Sequence, residues 1–573
     1  MSEEIIIAGL LVILLASLLF TKWSPAGVFG GVMLSCYFLG LVDTNDILQK
    51  IANPGVVTLS LLLMMSQGLE KLNWVKDLSG KLISRNYYVS LLRMCGFTAL
   101  TSAFVNNTAV VAMLTHTVRN NKYHPASKLL LPLSYAAILG GTMTLIGTST
   151  NLVVSSFLED ATGQGLAFFD FLILGCVVSV LGLVVMLVMS RVLPAHNADP
   201  IDINQYLIET EVLAGSSLIG KSVIENRLRD LDALFLVEIV RDTHLMSPVS
   251  PHEIIEAGDK LIFSGDISKL GALDAFDGLS SFALDEGLLR QNLTEVIVMP
   301  GAAVEGESIK NSGFRAKFDA AVVGLRRGGK RLSGKLGDIH LQAGDNLMLA
   351  TGPDFSSRKN LNKNFTVISE DISGRISRKE NYFISLSLLG AITLATLDYI
   401  SLVKGVAFVL AGMLFFGTVG TAELRRRFPF DLIVVVVSAL VIAQSLNNSG
   451  LIAHITDWLH LYLADLGPYA AIAGIFVATL LMTEVMTNNA AAALSFPIAF
   501  GLAQSFGLNP MPFVMAVAYG SSASFLTPFG YTTNLMVQNL GQYEFKDYTR
   551  FGCVLTVAYS TAVICLLPLL FPF

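Results

Sequence analysis

Charged residues are scarce in this chain. Only 14% of its 573 residues are Asp, Glu, Lys or Arg, against 53% that are apolar, about half the charged share of an ordinary soluble globule. That excludes a wholly soluble protein and assigns most of the chain to a lipid bilayer. The net charge is only −6, so nothing marks a nucleic-acid partner. The five cysteines, Cys36, Cys95, Cys176, Cys553 and Cys565, stand in apolar runs without paired metal-ligand spacing and read as small buried residues. There is no Walker A loop, no His-Glu-x-x-His and no Gly-x-Ser-x-Gly, so primary pumping and hydrolysis lack their chemistry. A Thr-Val-Gly-Tyr-Gly potassium filter is also absent. No enzymatic activity and no organic cofactor are expected.

What is present is a polar pattern written twice. Ser102-Ala-Phe-Val-Asn106-Asn107-Thr108-Ala109 and Thr483-Glu484-Val-Met-Thr487-Asn488-Asn489-Ala490 are amide-rich knots inside apolar runs. Each run is about thirty residues, long enough to enter a bilayer and turn back but not to cross it twice. Re-entrant hairpins at about 88–118 and 466–500 are therefore expected. Downstream of each comes a second knot, Gly147-Thr148-Ser149-Thr150-Asn151-Leu152 and Gly530-Tyr531-Thr532-Thr533-Asn534-Leu535.

Unwound backbone and uncommitted amides are tolerated in a membrane only where protein or a water-filled cavity surrounds them. Meeting near the midplane, these knots would offer N–H groups at half-helix N-termini to an anion. Their carbonyl, amide and hydroxyl oxygens would suit a small hard cation. The knots hold no Lys or Arg, so co-bound cations and helix dipoles must supply the positive field, which favours sodium coupling over uniport. The bland alternative, Asn and Thr as glue between helices, is weakened by two symmetric pairs at matching offsets. Neither Asn107 nor Asn488 is replaced by Asp, against a proton antiporter. Glu484 stands where the first repeat has Ala103. As an intramembrane acid it is a functional candidate, readable as a proton or sodium ligand or as a packing partner to a hydroxyl. His116, His454 and His460 read as interfacial.

The order of apolar segments also repeats. Residues 1–195 offer spans near 4–21, 24–42 and 55–70, an amphipathic piece at 71–86, the hairpin, and segments near 126–158 and 166–192. Residues 381–573 offer 381–398, 402–422 and 430–448, an amphipathic piece at 450–463, the second hairpin, then 510–540 and 551–572. Ile5 to Phe20 follows Glu3 and Glu4 rather than Lys or Arg, and reads as a retained span, not a signal peptide. The fold expected is an α-helical polytopic membrane protein, an inverted repeat of five transmembrane spans plus one re-entrant hairpin each. Lys and Arg gather in the loops Lys71–Arg85, Arg119–Lys128 and Arg425–Arg427, which places both termini outside.

Between the halves the composition turns soluble and repeats internally. Gly258-Asp-Lys-Leu-Ile-Phe-Ser-Gly265 returns as Gly344-Asp-Asn-Leu-Met-Leu-Ala-Thr-Gly352. Two small cytoplasmic α+β modules are expected, at 205–285 and 286–355, with a linker at 356–380.

Asn106-Asn107-Thr108-Ala109 and Thr487-Asn488-Asn489-Ala490 resemble the paired Ser-Asn-Thr hairpin tips of the divalent anion/sodium symporter family. Gly147 to Asn151 and Pro528 to Asn534 resemble that family's unwound segments. The soluble block resembles two TrkA C-terminal modules, as inserted in bacterial and algal sulfate-type permeases. The resemblance implies a homodimer in the plasma (bacterial inner) membrane, working as an elevator-type symporter with sodium as its only metal. By it, Ser102, Asn107, Gly147 and Asn151 would surround one sodium, and Thr483, Asn488, the Leu526 carbonyl and Asn534 the other. Asn106, Asn107, Thr108, Thr487, Asn488 and Asn489 would face the anion. Where the family has Ser, Ser and Thr, this chain has Asn106, Thr487 and Asn489, which favours a compact inorganic anion such as sulfate over a dicarboxylate, bicarbonate or organic sulfonate. TrkA-type modules also imply a regulatory ligand or a dimer contact, and suggest a ligand-regulated channel or cation/proton antiporter as the alternative class.

Overall fold

The computed structural model describes residues 3–21, 23–70, 82–119, 121–195, 207–228, 234–241, 244–246, 249–265, 279–282, 293–327, 330–332, 336–352, 354–355, 358, 361–368, 378–397, 399–426, 428–463 and 465–573. Most of the amphipathic piece at 71–86, the junction between the two modules and much of the 356–380 linker lie outside the described residues.

The first membrane half runs α1 (Glu3–Phe20), α2 (Pro25–Phe38), α3 (Thr44–Ile51), α4 (Pro54–Leu69), α5 (Tyr87–Ser102), α6 (Asn107–Arg119), α7 (Ser127–Gly141), α8 (Ser149–Thr162) and α9 (Leu172–Met189). Local chemistry sets several of these ends. Ser24 and Asn53 accept from the N–H groups of Gly27 and Gly55, each ahead of a first-turn proline. Asn86 caps α5 by accepting from Tyr88 and Val89, and α8 stops at Gly163, whose φ of +78° is left-handed.

The soluble block forms two five-stranded antiparallel sheets. The first contains β1 (Leu207–Val212), β2 (Leu234–Arg241), β3 (His244–Met246), β4 (Lys260–Gly265) and β5 (Leu279–Phe282) in the order β3-β2-β4-β1-β5. The second contains β6 (Leu293–Val298), β7 (Ala320–Arg327), β8 (Lys330–Arg331), β9 (Asn346–Thr351) and β10 (Phe365–Val367), in the equivalent order read from the other side, β10-β6-β9-β7-β8. Even the irregularities repeat, with register shifts at Leu236/Glu238 and Val322/Gly324. In each copy a buried aspartate after the glycine is held by a forked arginine, Arg241 on Asp259 and Arg327 on Asp345. The strand Phe365–Val367 falls in the stretch expected to be linker, so the second sheet reaches past residue 355. It stays there because Phe365 packs against Phe314 and Phe318, with ring centroids 5.6 and 4.8 Å away.

The second membrane half runs α10 (Arg378–Thr396), α11 (Leu402–Phe415), a short helix at Thr421–Arg426, α12 (Phe430–Asn448), α13 (Leu451–Leu463), α14 (Gly467–Val485), α15 (Asn488–Ser505), α16 (Met511–Ser521), α17 (Thr532–Gly541) and α18 (Phe545–Leu570). Packing exchanges the two repeats. Helix α2 packs on α12 and α4 on α11; α5 packs on α7 and α14 on α16; α7 packs on α17 and α8 on α16. One continuous apolar core joins both halves.

Among the described residues six helical runs are long and apolar enough to cross a membrane: Glu3–Phe20, Thr44–Leu69, Leu172–Val192, Phe430–Asn448, Gly467–Val485 and Phe545–Leu570. The protein is an integral membrane protein. One of these runs, α14, was expected to be only an arm of the second hairpin. Its length suffices to cross, yet the chain turns back at Met486 and Thr487 and α15 packs along it.

The second module rests on the membrane part. Ile297 of β6 belongs to the membrane core, and the Asn539 amide of α17 donates to the Gly344 carbonyl. A Cβ on Gly344 would lie 3.0 Å from the Leu535 side chain, whereas one on Gly258, the same residue of the first module, would meet nothing within 4 Å.

Candidate functional site

Both expected knots form where two helices meet end to start. At the first tip α5 ends at Ser102 and α6 begins at Asn107. The Ser102 hydroxyl donates to Asn107 Oδ1 at 2.5 Å, and Asn106 Oδ1 accepts from the Thr108 N–H at 2.9 Å, satisfying a first-turn donor. The Asn107 amide meets the end of α7 with its O/N edge: a Cβ on Gly141 would come 2.8 Å from both its oxygen and its nitrogen. Asn151 closes the broken span by donating to the carbonyls of Thr144 (2.9 Å) and Gly141 (3.4 Å), while the Thr144 hydroxyl donates to the Ala103 carbonyl. Gly147 also approaches Gly141, where a Cβ would be 2.5 Å from the carbonyl. Asn107, Gly147 and Asn151 thus each approach Gly141, and Ser102 is bonded to Asn107.

The second half repeats the wiring of the broken span but not that of the tip, where Thr483 does not bond Asn488 as Ser102 bonds Asn107. Asn534 donates to the carbonyls of Ser524 (2.9 Å) and Thr527 (3.3 Å), and the Thr527 hydroxyl donates to the Glu484 carbonyl at 3.4 Å. Thr483 donates to the Ser521 carbonyl at 2.8 Å. Asymmetry enters with Glu484, whose Oε1 accepts from the N–H groups of Phe525 (2.9 Å) and Leu526 (2.8 Å). The carboxylate therefore holds the unwound turn, and the groups that donate to it are backbone N–H groups. Its Oε2 is buried without a partner. Asn488 opens α15 with its amide nitrogen likewise buried and unpartnered.

Across the midline the halves bond to each other. The Asn107 amide donates to the Tyr531 hydroxyl at 2.6 Å, and the Thr148 hydroxyl lies 3.2 Å from the same oxygen. On the other side Ser149 donates to Asn489 Oδ1 at 3.1 Å, and Thr150 meets Ser522 at 3.0 Å. Below them Ser134 of α7 donates to Asn534 Oδ1 at 2.7 Å. Each hairpin tip is thus met by the unwound segment of the opposite half. The chain of contacts Asn107, Tyr531, Thr148, Ser149, Asn489 runs through the start of α6, α17, α8 and α15, so the positive ends of four helix dipoles face one region. Asn106 and Thr487 are exposed at the two tips, and among the described residues no hydrogen bond ties either to the other half.

Sequence reasoning quoted Tyr531 and Ser149 but gave them no role. Their residue types sit plainly inside the knots; which opposing knot each faces is set by tertiary packing, which an internal repeat does not report. Among the described residues no group of three His, Cys, Asp or Glu is placed to hold a metal. The oxygen donors here are amide, hydroxyl and carbonyl groups, a set suited to a hard monovalent ion rather than to a transition metal.

A family model described as the citrate transporter family, CitMHS, matches residues 5–518. The chain belongs to this family. As a CitMHS member it is similar to the uncharacterized transporter sll0640 of Synechocystis, 31% identical over 98% of this chain and 96% of that one. It is equally similar to a putative sulfur deprivation response regulator of Chlamydomonas reinhardtii, 31% identical over 92% of this chain and 95% of that one. A probable sodium/sulfate cotransporter 3 of the same alga is 25% identical over 61% of this chain and 40% of its own. Membership and relatives together make this protein a membrane transporter of the citrate and sodium/sulfate cotransporter type.

Proposed function

We propose that this transporter is a sodium-coupled symporter of a compact divalent anion, sulfate first. The observation that carries the reading is the convergence of four helix N-termini on a cross-bonded cluster of amides and hydroxyls in knots without Lys or Arg. Dipole ends and co-bound cations are then the sources of positive field for the anion. Ser102, Asn107, Gly147 and Asn151 hold one sodium; Thr483, Asn488, Leu526 and Asn534 hold the second. Asn106, Asn107, Thr108, Thr487, Asn488 and Asn489 face the anion. Relatives named sodium/sulfate cotransporters support sodium and sulfate as the cargo.

In this reading the halves are inverted repeats, and the hairpins with α7–α9 and α16–α18 move as an elevator against α1–α4 and α10–α13 of a homodimer. The soluble modules lie in the cytoplasm of a plasma membrane protein, at 205–285 and 286–355 with the added strand at Phe365–Val367. They serve dimerisation and regulation.

A second reading, an organic acid as cargo, draws on the family description and on a relative named a sodium-dependent dicarboxylate transporter, 22% identical over 23% of this chain. Uptake of radiolabelled sulfate into proteoliposomes under an inward sodium gradient, with a potassium control, decides between them. Sodium-dependent accumulation resistant to excess citrate, succinate, bicarbonate and taurine is the expected result. Accumulation of one of the competitors in place of sulfate moves the assignment to it, and ion flux without anion uptake moves it to a channel or antiporter.

A further inference from the structure

Thr148 and Tyr531 are the same position of the two repeats, each directly after the knot glycine and directly before a helix start. One is small and the other is a phenol. The two hydroxyls nevertheless meet at 3.2 Å, so the tyrosine ring occupies the region near the midline that a second threonine would leave open. Its hydroxyl also accepts from Asn107 at 2.6 Å, and the other end of that amide is engaged by Ser102. Thus one side chain from the second half touches the first hairpin tip and the first unwound segment together.

We infer that Tyr531 is the specificity-determining residue of the anion site, limiting it to compact oxyanions and excluding di- and tricarboxylates. This rests on the anion-symport reading above. Two physical effects act together. The ring fills volume beside Asn107, so a carboxylate chain longer than a single tetrahedral centre has no room there. The phenolic oxygen accepts from Asn107 while its O–H can donate, and an anion arriving at the tip would draw that proton from a neutral partner such as the Thr148 hydroxyl into a stronger, charge-assisted hydrogen bond. The bond to Asn107 also couples anion and cation. When Asn107 Oδ1 turns to a sodium ion, its nitrogen remains held by Tyr531, fixing the amide in the orientation both ligands use.

The test is a set of variants at this position, Tyr531→Phe and Tyr531→Thr, reconstituted beside the wild type and assayed for uptake of labelled sulfate and labelled succinate. Tyr531→Phe keeps the ring and loses the hydroxyl. Its KM for sulfate should rise about tenfold, the loss of one hydrogen bond to a charged partner, with succinate still excluded. Tyr531→Thr restores the residue of the other repeat and opens the volume; succinate should now inhibit sulfate uptake and be accumulated itself.

A Tyr531→Phe variant with unchanged sulfate KM overturns the hydrogen-bonding role, and a folded Tyr531→Thr variant that still ignores succinate overturns the size limit. If Tyr531→Thr is not recovered folded by size exclusion, Tyr531→Leu, which removes the ring but keeps an apolar side chain, replaces it in the succinate assay. Should the wild type prefer succinate or citrate over sulfate, the inference and the reading beneath it both fall. A wild type that transports sulfate while the variants behave identically removes the inference alone.

Discussion

The guanidinium of Arg119, the last residue of α6, is ion-paired with Glu295 in β6 of the second soluble module, and each side chain is only 11% exposed. The other Glu295 oxygen accepts from Asn346 at 2.7 Å. Nearby, Asn539 of α17 donates to Gly344. The module therefore bridges two helices whose opposite ends, Asn107 and Thr532, begin at the candidate site, one from each half of the membrane part. Glu295→Ala would leave a buried guanidinium uncompensated, and loss of one partner of such a pair costs about 3–5 kcal/mol. We expect the variant's module to be cleaved faster in limited proteolysis and its maximal uptake rate to change, with the KM for the anion within about twofold of wild type. The swapped pair Arg119→Glu with Glu295→Arg should recover much of both; no change in either readout would show that the docking has no bearing on transport.

Asn107 and Asn488 occupy equivalent places at the two tips. Asn107→Ala and Asn488→Ala should each raise the sodium concentration for half-maximal uptake about tenfold or more, the loss of one ligand to a charged partner, while size-exclusion profiles stay unchanged. Sodium titration of anion uptake measures this, and normal sodium dependence in both variants would sink the assignment of these residues.

Glu484 offers a cleaner separation of roles. An amide in its place still accepts the N–H groups of Phe525 and Leu526, so Glu484→Gln should retain folding and transport if the residue only holds the turn. Glu484→Ala strands two donors at about 1–3 kcal/mol each and should lower the melting temperature and abolish uptake. Should Glu484→Gln fold normally yet lose sodium dependence, the side chain is instead a cation ligand.

Gly141→Ala places a methyl group 2.8 Å from the Asn107 amide, closer than a packed interior tolerates. Uptake should fall by at least about tenfold, since a ligand misplaced by an ångström can cost a hundredfold, with insertion in the membrane intact. Retained uptake would mean that the Asn107 amide need not lie against α7.

The hairpin tips and broken spans are legible in the sequence because amide-rich tracts have few stable places inside an apolar run. The tandem modules are legible because Gly258-Asp259 and Gly344-Asp345 anchor the same turn. Less visible is β10: Phe-Thr-Val is too short to show alternation, and only the distant partners Phe314 and Phe318 make it a strand. The bond from Asn107 to Tyr531 spans 424 residues and depends on how the repeats face each other. The tie between Glu484 and two backbone N–H groups likewise leaves no trace in residue spacing.

The duplicated modules have parted company at one surface. Ile297 and Asn346 of the second copy are buried, and Gly344 touches Leu535. The matching residues of the first copy are Glu211, half-buried, and Lys260, exposed, beside a Gly258 with space around it. The second copy therefore bears on a helix that begins at the candidate site, and the matching positions of the first copy do not. Two segments of one architecture thus do different work, the second as a bearing surface for the membrane helices and the first with the matching face turned away from them.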